Sequence, residues 1–478
     1  MLSNTGIAQQ CVVSLLLLFS LYDGANGQGF KVDLNSPKSI VEASKVLAKK
    51  LISYYKGDQP GEILGILPGP PDSGRGPYYW WQAGAMWQTY VDYWHYTRDD
   101  TYVKQTTDAI LFQADPPKNA FMPVNWTSSL GNDDQAFWGM AAMLAAEVKF
   151  PDPPADKPGW LELAMATFNT QAAPDRHDEL CNGGLHWQIS QYNIGYDYKN
   201  TIANGCFFNL GARLARYTGN QSYADWAEKT WDWLIGVQYI DEDWNVYDGG
   251  YGQRDNCTVV TKSQFSANVA VLIHGAAMMY SHTKEEKWKK AVDGLLDRCI
   301  EFFFPKGIMI ERPCELEDEM KCNVDQHSFK GYMHRALATV AQLAPHTHDK
   351  IYKVLKTSTE AAVKSCLPDG TCGFRWTLGK YDGDVDRGPA GQAMSALAAV
   401  MTMLIDVDPS KIGAPVTADT GGTSKGNPDA GSLPGPFDPP PPLTGKDRAG
   451  AGVITTVILG TLIGALVWMG LDLWEGEK

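Results

Sequence analysis

Almost nothing in this 478-residue chain alternates apolar and polar residues over a length that would make a strand, which excludes a sheet-built architecture. There is no Cys-x-x-Cys or His-x-x-x-His spacing and so no outline of a zinc site; neither metal nor cofactor is expected. Basic residues are also short: 41 Lys and Arg face 55 Asp and Glu, a formal charge of −14. That sign repels a phosphate backbone and excludes nucleic acid as a partner.

No Lys or Arg precedes the apolar run from Cys11 to Leu21. The run is too short to span a bilayer and is followed by the small-residue stretch Ala25-Asn26-Gly27, so residues 1–27 read as a signal peptide. Glycosylation sequons at Asn125, Asn220 and Asn256 agree with export. Nine cysteines become eight once Cys11 is removed, an even number suited to an oxidising compartment. Cys314/Cys322 and Cys366/Cys372 are close enough to clip local loops. Cys181, Cys206, Cys257 and Cys299 leave their pairing open.

Residues 411–451 are dense in Gly, Pro, Ser, Thr and Asp, a composition that builds no core and reads as a linker. Beyond it, within residues 452–478, Val453 to Leu471 carries no charge and is long enough to cross a membrane. Two readings stand, a single-pass anchor and a GPI-attachment signal. Lys446 and Arg448 before the run, with Asp472, Glu475 and Glu477 after it, are the wrong polarity for a stop-transfer helix and favour GPI attachment. The charged end and the lack of an evident attachment site count against it. Residues 28–410 are left as one catalytic domain.

Periodicity and breakers place about twelve helices there, near 36–55, 78–95, 100–112, 132–148, 159–174, 199–217, 220–237, 262–281, 284–304, 327–343, 347–364 and 389–405. Alternate members differ: one set has a charged face, while the other is rich in Gly, Ala, Ser and Met. The second set begins at intervals of 54, 67, 63, 65 and 62 residues. A two-helix unit repeated six times predicts an all-α fold, an (α/α)6 barrel with the small-residue helices inside. A helical solenoid is the alternative.

The six segments that precede the inner helices would then open on one face. They include Tyr78-Tyr79-Trp80-Trp81-Gln82, Asn132-Asp133-Asp134-Gln135, Tyr198-Lys199-Asn200-Thr201, Ser266-Ala267-Asn268 and Ser328-Phe329-Lys330-Gly331. Aromatic faces for sugar C–H surfaces and polar partners for hydroxyls are the lining of a glycan cleft. Trp80, Trp81, Asn132, Gln135, Lys199, Asn200, Asn268 and Lys330 are therefore candidate substrate-binding residues. Asp248, in an Asp-Gly turn, is a candidate sugar-binding carboxylate. Asp133 and Asp134 stand at the start of a buried helix. Acids there are also ordinary caps, but a carboxylate pair in a cleft is what breaking a glycosidic bond requires. Asp382-x-Asp384-x-Asp386 opens like a calcium loop but lacks the rest of the pattern.

The ordered segments Gly131-Asn132-Asp133-Asp134-Gln135-Ala136-Phe137-Trp138, Gly183-Gly184-Leu185-His186-Trp187, Lys199 to Gly205, Phe329-Lys330-Gly331 and Gly391 to Leu397 resemble the family 76 glycoside hydrolases, endo-α-1,6-mannanases. The closest likeness is to their fungal, membrane-anchored cell-wall branch. The resemblance implies a retaining mechanism with Asp133 as nucleophile and Asp134 as acid/base, and it adds Trp187 to the cleft. It also implies a monomer acting on an α-1,6-mannan or GPI-glycan donor, with β-glucan as a candidate acceptor and the membrane reached through the C-terminal segment. Transglycosylation of GPI-anchored mannoproteins onto wall glucan is the role attached to that branch. A non-catalytic glycan-binding wall protein on the same barrel is the alternative function.

Overall fold

The computed structural model describes residues 29–126, 129–315, 321–383, 388–432 and 445–475. The expected signal peptide, Thr127 of the first sequon, and Asp384 and Asp386 of the acidic loop lie outside them. Among the described residues, twelve helices of eleven residues or more build the main unit: α1 (Pro37–Ile52), α2 (Trp80–Thr97), α3 (Val103–Gln113), α4 (Asn132–Glu147), α5 (Trp160–Gln171), α6 (Thr201–Thr218), α7 (Gln221–Gly236), α8 (Ser266–Thr283), α9 (Glu286–Phe303), α10 (Phe329–Leu343), α11 (His348–Lys364) and α12 (Pro389–Met401).

Composition decides which ring a helix joins. In α9, Trp288, Ala291, Val292, Leu295, Leu296, Cys299 and Phe303 are buried, one stripe at helical spacing with charge on the other face. In α4, every residue from Gln135 to Glu147 is buried, and small side chains let neighbours approach on all sides. The even-numbered helices pack in the order α2, α4, α6, α8, α10, α12 and back to α2, and each odd-numbered helix lies against its even partner. The ring closes, so the fold is an (α/α)6 barrel. A helix from Pro389 to Val407 is apolar and long enough to cross a membrane, but it is 89% buried as an inner stave.

One start differs from expectation. Residues 198–200 are a strand, β1, paired antiparallel with β2 (Gly249–Tyr251) in the register Lys199↔Gly250. Asn200 then caps α6 by accepting from the Ala203 N–H at 3.1 Å.

The supposed linker is bound to the barrel over its first half. The Val416 N–H donates to the Glu147 carbonyl, Arg216 donates to the carbonyls of Pro415 and Val416, and Asn169 donates to those of Pro428 and Ala430. Such a composition builds no core, yet its free carbonyls are good acceptors for side chains on neighbouring helices. Residues 434–478 form a separate unit, whose helix spans Gly445–Glu475.

Disulfides join Cys181 to Cys257, Cys314 to Cys322 and Cys366 to Cys372. Cys206 and Cys299 are unpaired and buried, so the even count did not mean full pairing. The three sequon asparagines are exposed.

Candidate active site

A cavity of about 590 Å³ opens where the inner helices begin. Asp133 and Asp134 form part of its floor, in the first turn of α4, with Trp80 and Trp81 from α2, Tyr198 and Asn200 from β1, and Asn268 from α8 around them. No Lys, Arg or His is among its described lining residues.

The two acids are held by different partners. The Trp187 indole N–H donates to Asp133 Oδ2 at 3.0 Å, and the Asp134 N–H donates to Asp133 Oδ1 at 3.0 Å. Asp134 turns back toward the helix start, where its Oδ2 accepts from the Gly131 N–H at 2.7 Å. Glycine is needed at 131 because both carboxylates lie over it. A Cβ there would stand 2.3 Å from Asp133 Oδ1 and 3.0 Å from Asp134 Oδ2. Those two oxygens therefore cannot be further apart than about the 5–5.5 Å of a retaining pair.

Desolvation governs the ionisation of both acids. Burial raises Asp133 to about 7, opposed by the hydrogen bonds it accepts from the Asp134 backbone and Trp187. Burial first, and the neighbouring Asp133 second, drive Asp134 well above the carboxylate range. The pair thus holds a proton at neutral pH, and Asp134 is the better place for it. Asp248, also raised by burial, accepts from the Tyr198 hydroxyl at 2.7 Å. A fourth acid in the cavity, Asp325, is raised by burial to about 6, and Oδ1 of its carboxylate makes no protein hydrogen bond.

Of the residues expected to bind substrate, Trp80, Trp81, Trp187, Asn200, Asp248 and Asn268 line the cavity, and Asn132, Gln135, Lys199 and Lys330 do not. Those four are spent on the frame. Asn132 is fully buried; its side chain donates to the His186 carbonyl and accepts from Arg176, at 2.9 and 2.6 Å. Gln135 donates to the Ala120 carbonyl and Thr170. Lys199 is clamped by Asp178 and the carbonyls of Leu180 and Gly183. Lys330 pairs with Glu315 at 2.7 Å and donates to the Phe374 carbonyl. The first acid of the calcium-like motif, Asp382, which alone of the three lies among the described residues, accepts from the backbone of Phe374 and Arg375.

Sequence reading missed Asp325, Tyr79, Phe137 and Gln188 in the lining. Asp325 precedes α10 by four residues, just upstream of the segment singled out there, so a wider window before each inner helix would have found it.

The Glycosyl hydrolase family 76 model matches residues 39–418. The mannan endo-1,6-alpha-mannosidase DCW1 of Candida albicans is 42% identical over 464 residues, 95% of this chain and 99% of that one. DCW1 of Saccharomyces cerevisiae is 42% identical over 92% of this chain and 95% of its own. The crystal structure of Dfg5 from Chaetomium thermophilum in complex with glucosamine superposes with a TM-score of 0.81 at 53% identity, covering 85% of this chain and 98% of that one. An α-1,6-mannanase from Salegentibacter, at a TM-score of 0.61 and 15% identity, shares the fold. A match of this extent, over a barrel with a carboxylate pair at its mouth, settles the assignment: the chain belongs to glycosyl hydrolase family 76 and is a glycosidase.

Proposed function

We propose that this glycosidase is a retaining endo-α-1,6-mannosidase-type enzyme of the fungal cell wall, with Asp133 as nucleophile and Asp134 as acid/base. The observation that carries the reading is the seating of both carboxylates over Gly131 at the cavity floor, where Asp133 Oδ1 and Asp134 Oδ2 are too close together for the wider gap of an inverting pair. Asp133 Oδ attacks the anomeric carbon while the Asp134 proton passes to the departing O6. The glycosyl–Asp133 ester is then opened by an acceptor hydroxyl, whose proton returns to Asp134. The relatives named above as mannan endo-1,6-alpha-mannosidases support the substrate. A lining without a described cation suits a neutral glycan better than a phosphorylated one.

The acceptor is the finer question. Trp81, Phe137 and Tyr79 make a largely apolar side to the cleft, which seats a sugar ring and excludes loose water. That favours transfer to a sugar hydroxyl, consistent with moving GPI-anchored mannoproteins onto β-glucan. Residues 453–471 would hold the exported enzyme at the outer face of the membrane, by GPI attachment or as a single span. Mass spectrometry of products from an α-1,6-mannose donor with candidate acceptors tests this reading. Donor–acceptor adducts are expected; free reducing chains alone would refute transfer, and an unchanged donor would refute the activity.

A further inference from the structure

The last described residues of the main unit lie at the cleft end, and the chain takes a detour to reach it. The last inner helix, α12, ends at the opposite, closed end, where Val416 bonds to Glu147 in the last turn of α4. Residues 424–431 then climb α5 from its first turn to its last. The Leu161 N–H donates to Ser424 Oγ at 2.9 Å, Gly426 lies on Met165 and Leu161, Asn169 holds the carbonyls of Pro428 and Ala430, and Gly431 rests on Ala166 and Thr170. Thr170 is at the cleft end, since its hydroxyl accepts from Gln135 in the first turn of α4. A tether leaving from the closed end would have needed no such strap.

The exposed apolar side chains are distributed with the same polarity. Tyr79, Val124, Tyr192, Ile194, Val259 and Leu378 are exposed on the loops at the cleft end, Tyr192 and Ile194 at 88% and 97%. The closed-end loops at 98–102, 148–159, 219–220, 284–285 and 344–347 expose no large apolar side chain. Large apolar groups gathered at one end of a protein mark a surface that meets something apolar. With the last described residues of the main unit at that end and the uncharged run 453–471 following later in the sequence, a bilayer is the partner both observations fit.

We infer that the cleft end of the barrel is a bilayer-docking face, through which the enzyme takes glycans carried on lipid in the membrane that holds its own tether. This rests on the proposed reading of the site and of residues 453–471. Two readouts on the full-length protein in phosphatidylcholine vesicles separate the ideas. In the first, a fluorophore is placed at Tyr192→Cys or at Lys287→Cys, the latter in the first turn of α9 at the closed end; the two unpaired cysteines among the described residues, Cys206 and Cys299, are buried. Headgroup-borne spin labels should quench the Tyr192→Cys probe at least about threefold more than the other. Equal or reversed quenching overturns the docking face.

In the second, the triple variant Tyr192→Ser, Val259→Ser, Leu378→Ser is assayed on one α-1,6-mannoside, either free in solution or linked to lipid in the vesicles. Turnover of the lipid-linked form should fall roughly tenfold and that of the soluble form less than about twofold. Equal losses overturn the inference. If the unmodified protein turns over neither form, the glycosidic reading of the site fails, and the quenching ratio still decides the docking face.

Discussion

Trp187 and Asp133 are joined by a single hydrogen bond, indole N–H to Oδ2 at 3.0 Å, and it gives the two neighbouring acids different surroundings. Successive residues of a helix point about 100° apart. Here that divergence is fixed at both sides, because Asp134 is held by the Gly131 N–H. Asp133 receives two donors that favour its anion, while Asp134 receives one and lies beside that anion, which keeps its proton in place.

The two substitutions to Asn should therefore differ by substrate. Asp133→Asn removes the nucleophile and should lower kcat at least about 10³-fold on any mannoside. Asp134→Asn should do comparable harm on a natural glycan, whose leaving alcohol needs the proton. With an aryl mannoside carrying a good leaving group, glycosylation should be largely restored for Asp134→Asn alone. Burst kinetics on the two substrates would show it; identical behaviour of the variants would contradict the assigned roles.

Stability should run against activity at this pair. Asp133 in the folded protein titrates near 7 instead of 3.8, so between those values the native state binds more protons than the unfolded chain. Stability is then full below about pH 4 and falls as pH rises through 7. The double variant Asp133→Asn, Asp134→Asn removes this penalty, which is on the order of a few kcal/mol. Its Tm should exceed that of the unmodified protein at pH 7.5 and converge on it near pH 4. A constant offset at all pH values would show that the dyad carries no such strain.

Trp187→Phe keeps an aromatic face and removes one donor. The lost hydrogen bond favours the Asp133 anion, so its loss raises the pH at which Asp133 ionises. The acid limb of the kcat/KM profile should move upward and narrow the bell, with kcat down roughly 10- to 100-fold at its maximum. An unmoved acid limb with a raised KM would make Trp187 a sugar platform only.

The ring of helices was legible because burial writes itself into composition. A stave buried on every side, such as α4, must be made of Ala, Gly and Met, whereas an outer helix such as α9 keeps a charged face. The dyad was legible because its helix start is local in sequence. Which polar residues reach the cavity was not. Asn132 and Asp133 are neighbours, yet one turns inward to Arg176 and the other faces the cleft, a choice made by partners far away in the chain. The strap along α5 was missed for the same reason, since its significance lies in contacts across hundreds of residues, with Asn169 reaching Pro428 as the clearest case.

Lys330 shows how such a partner can pass for a ligand-binding group. Its Nζ is fully buried, sits on the Phe374 and Trp376 rings and pairs with Glu315, which is itself buried. Burial works against its charge, and Glu315 is the main influence sustaining it. Lys330→Met would leave the Glu315 carboxylate without its cation in a dry site, a loss of roughly 3–5 kcal/mol. Thermal unfolding should show a Tm lowered by several degrees or more, with KM for soluble mannoside little changed at a temperature where the variant remains folded. The double variant Lys330→Met, Glu315→Gln should recover a large part of the stability, since no charge is then stranded. A KM rise without loss of Tm would instead return Lys330 to the substrate-binding set.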